Sequence, residues 1–181
     1  MSRRLAWVFD LDNTLHDARP HIFPHINRGM TAYIMRLLDM DEAEASALRV
    51  RYWHAYGATL LGLVRNHAID PMHFLRETHD MPELDRMVVR EGGLRHALLR
   101  LPGRRILFSN SPERYAVAVL GVLGIADLFD AVHGVESTRL NPKPSLDGFR
   151  AVLRRERLLP EQTVMVEDVL ENLVAARRLG M

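Results

Sequence analysis

Asp10 and Asp12 stand one residue apart in FDLDNTL, at the end of the apolar run LAWVF. Like charges so close repel, so the pair calls for something that both can serve. In an extended strand residues i and i+2 point to the same side, roughly 6 to 7 Å apart, and both carboxylates can then face one ligand. Two neighbouring carboxylates normally raise one pKa, and a divalent cation is the simplest agent that keeps at least one ionised at neutral pH. Polar residues also close two similar apolar runs: Ser109 and Asn110 follow RILF, and Glu167 and Asp168 follow VMV. Of the 24 Lys and Arg residues 23 are Arg, so Lys143, in LNPKPS, is the only lysine. A compact ammonium suits a place where a planar guanidinium does not fit. Oxygen-only ligands favour Mg²⁺, which takes one or two carboxylates, a substrate phosphate and several waters. Asp168 offers a third acid to such an ion.

Elements are needed to bring these residues together. LAWVF at Leu5 to Phe9, RILF at Arg105 to Phe108 and VMV at Val164 to Val166 read as strands buried on both faces, with FDAVHG at Phe129 to Gly134 a weaker fourth. Helical patterns separate the later ones. Ser111 and Pro112 start one that stops at Gly124, Ser145 starts another carrying Phe149, Val152 and Leu153, and Val169 to Leu179 forms the last. Strands alternating with helices imply an α/β fold with a Rossmann-like, mostly parallel sheet. Ligands bind such sheets beyond the carboxyl ends of the strands, where all the polar residues above would lie. The block 19–91 breaks the rhythm, because it holds several helices and no strand-like run. Asp41 and Asp70-Pro71 begin two of those helices. The chain therefore divides into an α/β core, 1–18 and 92–181, and an inserted all-helical cap, 19–91.

Composition fits an ordinary globular protein, at 48% hydrophobic and 26% charged over 181 residues. A net charge of +1 argues against a nucleic-acid polymer as partner. The absence of Cys excludes disulfides and thiolate zinc sites and fits a reducing, cytoplasmic setting. No apolar run approaches the roughly 20 residues of a membrane span, and the start MSRR leads into a strand-like run without a cleavable signal pattern.

Each signal alone has a plainer reading. Acids after a strand cap helices or turns, Ser109 and Asn110 can begin a helix, and Glu167 and Asp168 can cap the last one. Lys143 can be a surface residue. Their joint order and strand context favour function. Trp53, Tyr56, Phe74 and His79 have a type that can stack on a base, but aromatics at helical spacing more often form core. His21 and His25 have the separation of a helical metal pair, yet Pro20 and Pro24 speak against a regular helix there. They and the remaining His residues are read as structural, and Arg104-Arg105 and Arg154-Arg155 as solvated faces.

Asp10-Leu11-Asp12-Asn13-Thr14, Ser109, Lys143 and Glu167-Asp168 resemble, in order, the four motifs of haloacid dehalogenase superfamily phosphatases. The insertion after the first motif matches one of that family's cap types. Within it, YGATLLGL (Tyr56 to Leu63) and HAIDPMHFLRETHD (His67 to Asp80) resemble the pyrimidine 5′-nucleotidase branch. The resemblance implies a Mg²⁺-dependent phosphomonoester hydrolase acting through an aspartyl phosphate on a small phosphorylated substrate, a nucleoside monophosphate. Asp10 is then the nucleophile and a metal ligand, and Asp12 the general acid and base, touching the metal through its backbone carbonyl. Ser109, the backbone near Asn110, and Lys143 hold the phosphoryl oxygens. Asp168 completes the metal site, with Glu167 helping directly or through water.

A phosphomutase, or a phosphatase for sugar phosphates or phosphoglycolate, would share every core residue and differ in the cap. A dehalogenase would leave Asp12 and the metal acids unexplained, because halide departs without a proton. A receiver-like module would not need the insertion. The family continues past RLGM with another strand and helix, whereas this sequence stops at Met181. The expectation is a sheet without its final edge strand, of reduced stability or activity, or with that edge covered by a partner chain such as a second copy.

Overall fold

A computed structural model describes residues 5–181; the MSRR start falls outside the described residues. By contacts the chain forms two compact units, one of residues 5–18 with 84–181 and one of Arg19–Glu83.

The first unit carries a sheet of four parallel strands, β1 (Ala6–Phe9), β2 (Arg104–Phe108), β3 (Ala131–His133) and β4 (Thr163–Val166), in the order β3-β2-β1-β4. All four runs expected from the sequence are strands. β1 is paired along both edges, and its Ala6, Val8 and Phe9 are buried with Trp7 half-buried, which fits the lack of polar alternation in AWVF. Its register sets Phe9 beside Leu107 on one flank and Val166 on the other. The residues just past all three strands are thereby brought to one edge. Gly103 makes the β1–β2 approach, since a Cβ there would lie 2.0 Å from the Leu5 carbonyl oxygen.

Helices α5 (Leu84–Met87), α6 (Leu94–Leu99), α7 (Glu113–Leu123), α8 (Leu146–Glu156) and α9 (Leu170–Arg178) complete this unit. Ala6, Val8, Ile106 and Phe108 of the sheet form one buried cluster with Phe149 and Val152 of α8 and Ala175 and Ala176 of α9. Phe108 meets Phe149 edge to face at 5.4 Å. Burying each such ring stabilises the fold by about 1.5–3 kcal/mol.

Four local readings change. The helix after β2 starts at Glu113 with Pro112 as its N-cap, and Glu136 Oε1, not Ser111, accepts from its first N–H. The insertion ends at Glu83 rather than at residue 91, because α5 packs on α7 and Val89 bridges to Asp17. Arg104 and Arg105 are not a solvated face. Arg104 reaches Glu156, and Arg105 donates to the carbonyls of Leu98, Leu101 and Leu128.

The second unit is a set of helices, α1 (Ile22–Leu38), α2 (Glu42–Tyr56), α3 (Thr59–His67) and α4 (Pro71–Thr78). Asp41 and Glu44 cap α2 reciprocally, and Asp70 caps α4 ahead of Pro71. The fourth change lies here. Pro24 stands within a regular α1, because it falls in the first turn, where a missing N–H leaves no intrahelical bond unmade. His25 is turned onto the Asp80 carbonyl at 2.9 Å. Of the aromatics, Phe74 is core at 2% exposed, whereas Trp53 is 57% exposed. Among the described residues no helix is long and apolar enough to cross a membrane.

Candidate active site

Asp10 is the first residue beyond β1, and its N–H still donates to the Val166 carbonyl at 2.9 Å, which fixes the start of its side chain beside Glu167. Lys143 Nζ donates to Asp10 Oδ1 and to Glu167 Oε2, each at 2.6 Å. The lysine is 3% exposed and lies 5.4 Å from the centre of the Phe108 ring. Burial pushes the Asp10 carboxyl above the usual carboxylate range; the Lys143 charge opposes this and the Asp12 charge adds to it. Burial likewise raises Glu167, with Lys143 again opposing and Asp10 reinforcing. Oxygens of Asp10, Glu167 and the exposed Asp168 lie within 4.8 Å of one another. Three carboxylates against one ammonium leave an excess of negative charge with oxygen donors only, a set that fits a hard divalent cation.

The Lys143 loop is held by Asn110. The Lys143 N–H donates to Asn110 Oδ1 at 2.7 Å, and Asn110 Nδ2 donates back to the Lys143 carbonyl at 3.0 Å. The Asn110 side-chain amide is thus engaged with the loop at both its oxygen and its nitrogen. Gly148 lets α8 approach the same loop, since a Cβ there would lie 2.2 Å from the Asn141 carbonyl oxygen.

Asp12 is surrounded differently. Its Oδ1 accepts from the Tyr115 hydroxyl at 2.7 Å and faces His16 Nε2 at 3.0 Å, and its Oδ2 accepts from the Ser111 hydroxyl at 3.0 Å. Burial, then the charge and hydrogen bond of Asp12, hold the Tyr115 phenol far above its usual pKa, so it stays a donor. A tight turn brings His16 back over Asp12: Asn13 adopts a left-handed φ of 65°, its N–H donates to the His16 carbonyl at 2.8 Å, and its Oδ1 accepts from Ala18 N–H at 3.1 Å. Ser109, 1% exposed, accepts from the Ser111 N–H at 3.0 Å.

Two connected sets result. Asp10, Lys143, Glu167, Asp168 and Asn110 form one, and Asp12 with Ser109, linked through Ser111, forms the other. His16, Ser111 and Tyr115 escape a reading of the sequence alone. The spacing of His16, four residues after Asp12, is the one signal that points to it; Ser111 looks like a helix cap, and Tyr115 like any aromatic on an amphipathic helix.

Comparison with known proteins agrees with this architecture. The family of haloacid dehalogenase-like hydrolases matches residues 6–180. Phosphate metabolism protein 8 of Saccharomyces cerevisiae is 28% identical over 137 residues, covering 71% of this chain but only 43% of that protein. The phosphorylated carbohydrates phosphatase of Thermotoga maritima is 23% identical over 189 residues, covering 97% of this chain and 82% of the relative. Among solved structures, a HAD phosphatase from Thermococcus onnurineus superimposes with a TM-score of 0.66 at 19% identity, over 98% of this chain and 83% of that one.

Proposed function

This chain belongs to the haloacid dehalogenase-like hydrolase family, and we propose that it hydrolyses phosphate monoesters through an aspartyl phosphate on Asp10, with a pyrimidine nucleoside 5′-monophosphate as substrate. The observation that carries the reaction class is the Lys143 ammonium lodged 2.6 Å from both Asp10 Oδ1 and Glu167 Oε2, beyond the carboxyl ends of β1 and β4.

Asp10 is placed at the centre of the charge cluster, where its carboxylate would attack phosphorus as the bond to the departing ester oxygen breaks. Asp12 would give that oxygen a proton, then take one from the water that cleaves the aspartyl phosphate. Lys143, the Ser109 hydroxyl and the Asn110 N–H would hold the phosphoryl oxygens, the electrostatic contribution on which phosphoryl transfer mainly depends. Asp10, Glu167 and Asp168, with the Asp12 backbone carbonyl that the family resemblance adds, would hold Mg²⁺; when bound, it supplies positive charge to the phosphoryl group.

The substrate is assigned to the helical unit, read as a cap, on the strength of the Tyr56 to Leu63 and His67 to Asp80 segments that resemble pyrimidine 5′-nucleotidases. A second reading, a phosphatase or phosphomutase for sugar phosphates, is supported by the likeness to the phosphorylated carbohydrates phosphatase. The Cys-free sequence supports a cytoplasmic setting. Phosphate release with Mg²⁺ across UMP, CMP, dTMP, purine monophosphates and sugar phosphates tests the assignment. The pyrimidine nucleotides are expected to turn over fastest. A sugar-biased profile would move the substrate and keep the mechanism, and no release from any ester, including an aryl phosphate, would overturn both.

A further inference from the structure

We propose that His16, Tyr115 and Ser111 are positioning residues that leave Asp12 Oδ2 as the single oxygen through which this protein passes a proton to and from the reacting ester. The inference rests on the reading of Asp12 as general acid and base.

A carboxylate offers about four acceptor positions, two on each oxygen. Both positions on Oδ1 are engaged, one by the Tyr115 hydroxyl at 2.7 Å and one by His16 Nε2 at 3.0 Å. Ser111 takes one position on Oδ2 at 3.0 Å, so one direction on Oδ2 is left. The donors are well fixed. Tyr115 and His16 are each 2% exposed, so neither swings out to solvent without unpacking the core. Hydrogen placement on the imidazole is set by its neighbours. A bare Nε2 would set its lone pair against those of Oδ1, so Nε2 carries the hydrogen. His16 Nδ1 is buried with no hydrogen-bond partner among the described residues, so Nε2 is the ring nitrogen engaged with Asp12.

The arrangement works in both protonation states that the reaction needs. With a proton on Oδ2, the oxygen still accepts from Ser111 and presents that proton along the remaining direction. As the P–O bond breaks, the proton moves to the leaving oxygen and Asp12 becomes a carboxylate. When water later attacks the aspartyl phosphate on Asp10, its proton returns to the same oxygen. Because Ser111 also donates its N–H to Ser109 at 3.0 Å, the reactive oxygen is tied to the residue proposed to hold the phosphoryl group.

A merely structural role for these three residues would lower activity equally on every ester. Proton delivery would not, because an alkyl leaving group needs the proton and p-nitrophenolate hardly does. The test compares kcat/KM, which covers all steps up to leaving-group departure, for an alkyl phosphate and p-nitrophenyl phosphate. Tyr115→Phe and His16→Leu are expected to lower the alkyl value about 30-fold and the p-nitrophenyl value less than about 3-fold, the loss of one hydrogen bond to a charged group. His16→Gln, which returns an N–H donor, should recover part of the alkyl loss. Ser111→Ala gives the same comparison should a variant of the buried pair fail to fold. Equal losses on both esters, in a wild-type protein that turns over both, would overturn the inference alone. A wild-type protein active on neither would overturn the proposed function and this inference with it.

Discussion

The surroundings of Asp10 and Asp12, one residue apart in the chain, are built from different chemistry. Around Asp10 the partners are charged: the Lys143 ammonium, and Glu167 and Asp168 close by. Around Asp12 the partners are directional hydrogen-bonding groups: a phenol, a serine hydroxyl and a buried imidazole. A charged cluster suits a group that must meet an anionic phosphoryl group and a cation. Directional hydrogen bonds suit a group whose task is to present one proton along one line. Strand alternation alone would have given both side chains the same outlook; the turn at Asn13 and the start of α7 separate them.

Substitutions can break this contrast. The largest effect is expected from Asp10→Asn, which removes the nucleophile and should lower kcat by roughly 10⁴ or more. Lys143 retains Glu167, so the melting temperature should change little; a large drop would show that the Asp10 pairing is structural. Lys143→Met should cost about 10³ in kcat. It also strands two buried carboxylates, worth about 3 kcal/mol, so the metal-free protein should melt roughly 6–12 °C lower. Asp12→Asn should lower kcat/KM on an alkyl phosphate about 10²-fold with hardly any change in melting. Its carbonyl can take the two Oδ1 partners, and the Ser111 hydroxyl can turn to accept from the new amide. If Lys143→Met and Asp12→Asn proved equally destabilising, the distinction between a charge-compensated and a hydrogen-bonded aspartate would fail.

The smallest effect is thermal. Mg²⁺ at about 100 times its Kd should stabilise the protein by roughly 2.7 kcal/mol, a rise of about 5–10 °C in melting temperature. Asp168→Asn should shrink that rise while leaving the metal-free melting point near wild type, since Asp168 is exposed. A full rise in the variant would remove Asp168 from the metal site.

Most of the α/β unit was legible from the residues. The runs AWVF and RILF are too short for helices and too uniformly apolar for half-exposed strands, so interior parallel strands are almost the direct consequence, whereas TVMV, read the same way, lies at the edge of the sheet and is largely half-buried. The same logic placed Asp10, Ser109 and Glu167 at strand ends. The misleading signals were local. Pro24 suggested a broken helix where it only occupies a first turn, and Ser111 suggested a cap where its hydroxyl is spent on Asp12. The arginines at 104 and 105 looked solvated because a sequence does not show that Arg104 reaches Glu156 and that Arg105 meets the carbonyls of Leu98, Leu101 and Leu128.

By itself the sequence determined which residue types stand past each strand, because the apolar runs dictate the strands and chain order dictates which polar residues come next. Only the tertiary structure decided their partners. Lys143 meets Asp10 across 133 positions of chain, and Tyr115 meets Asp12 across 103. Contacts at that range depend on register, helix packing and a single left-handed Asn, none of which leaves a periodic signal in the residues themselves.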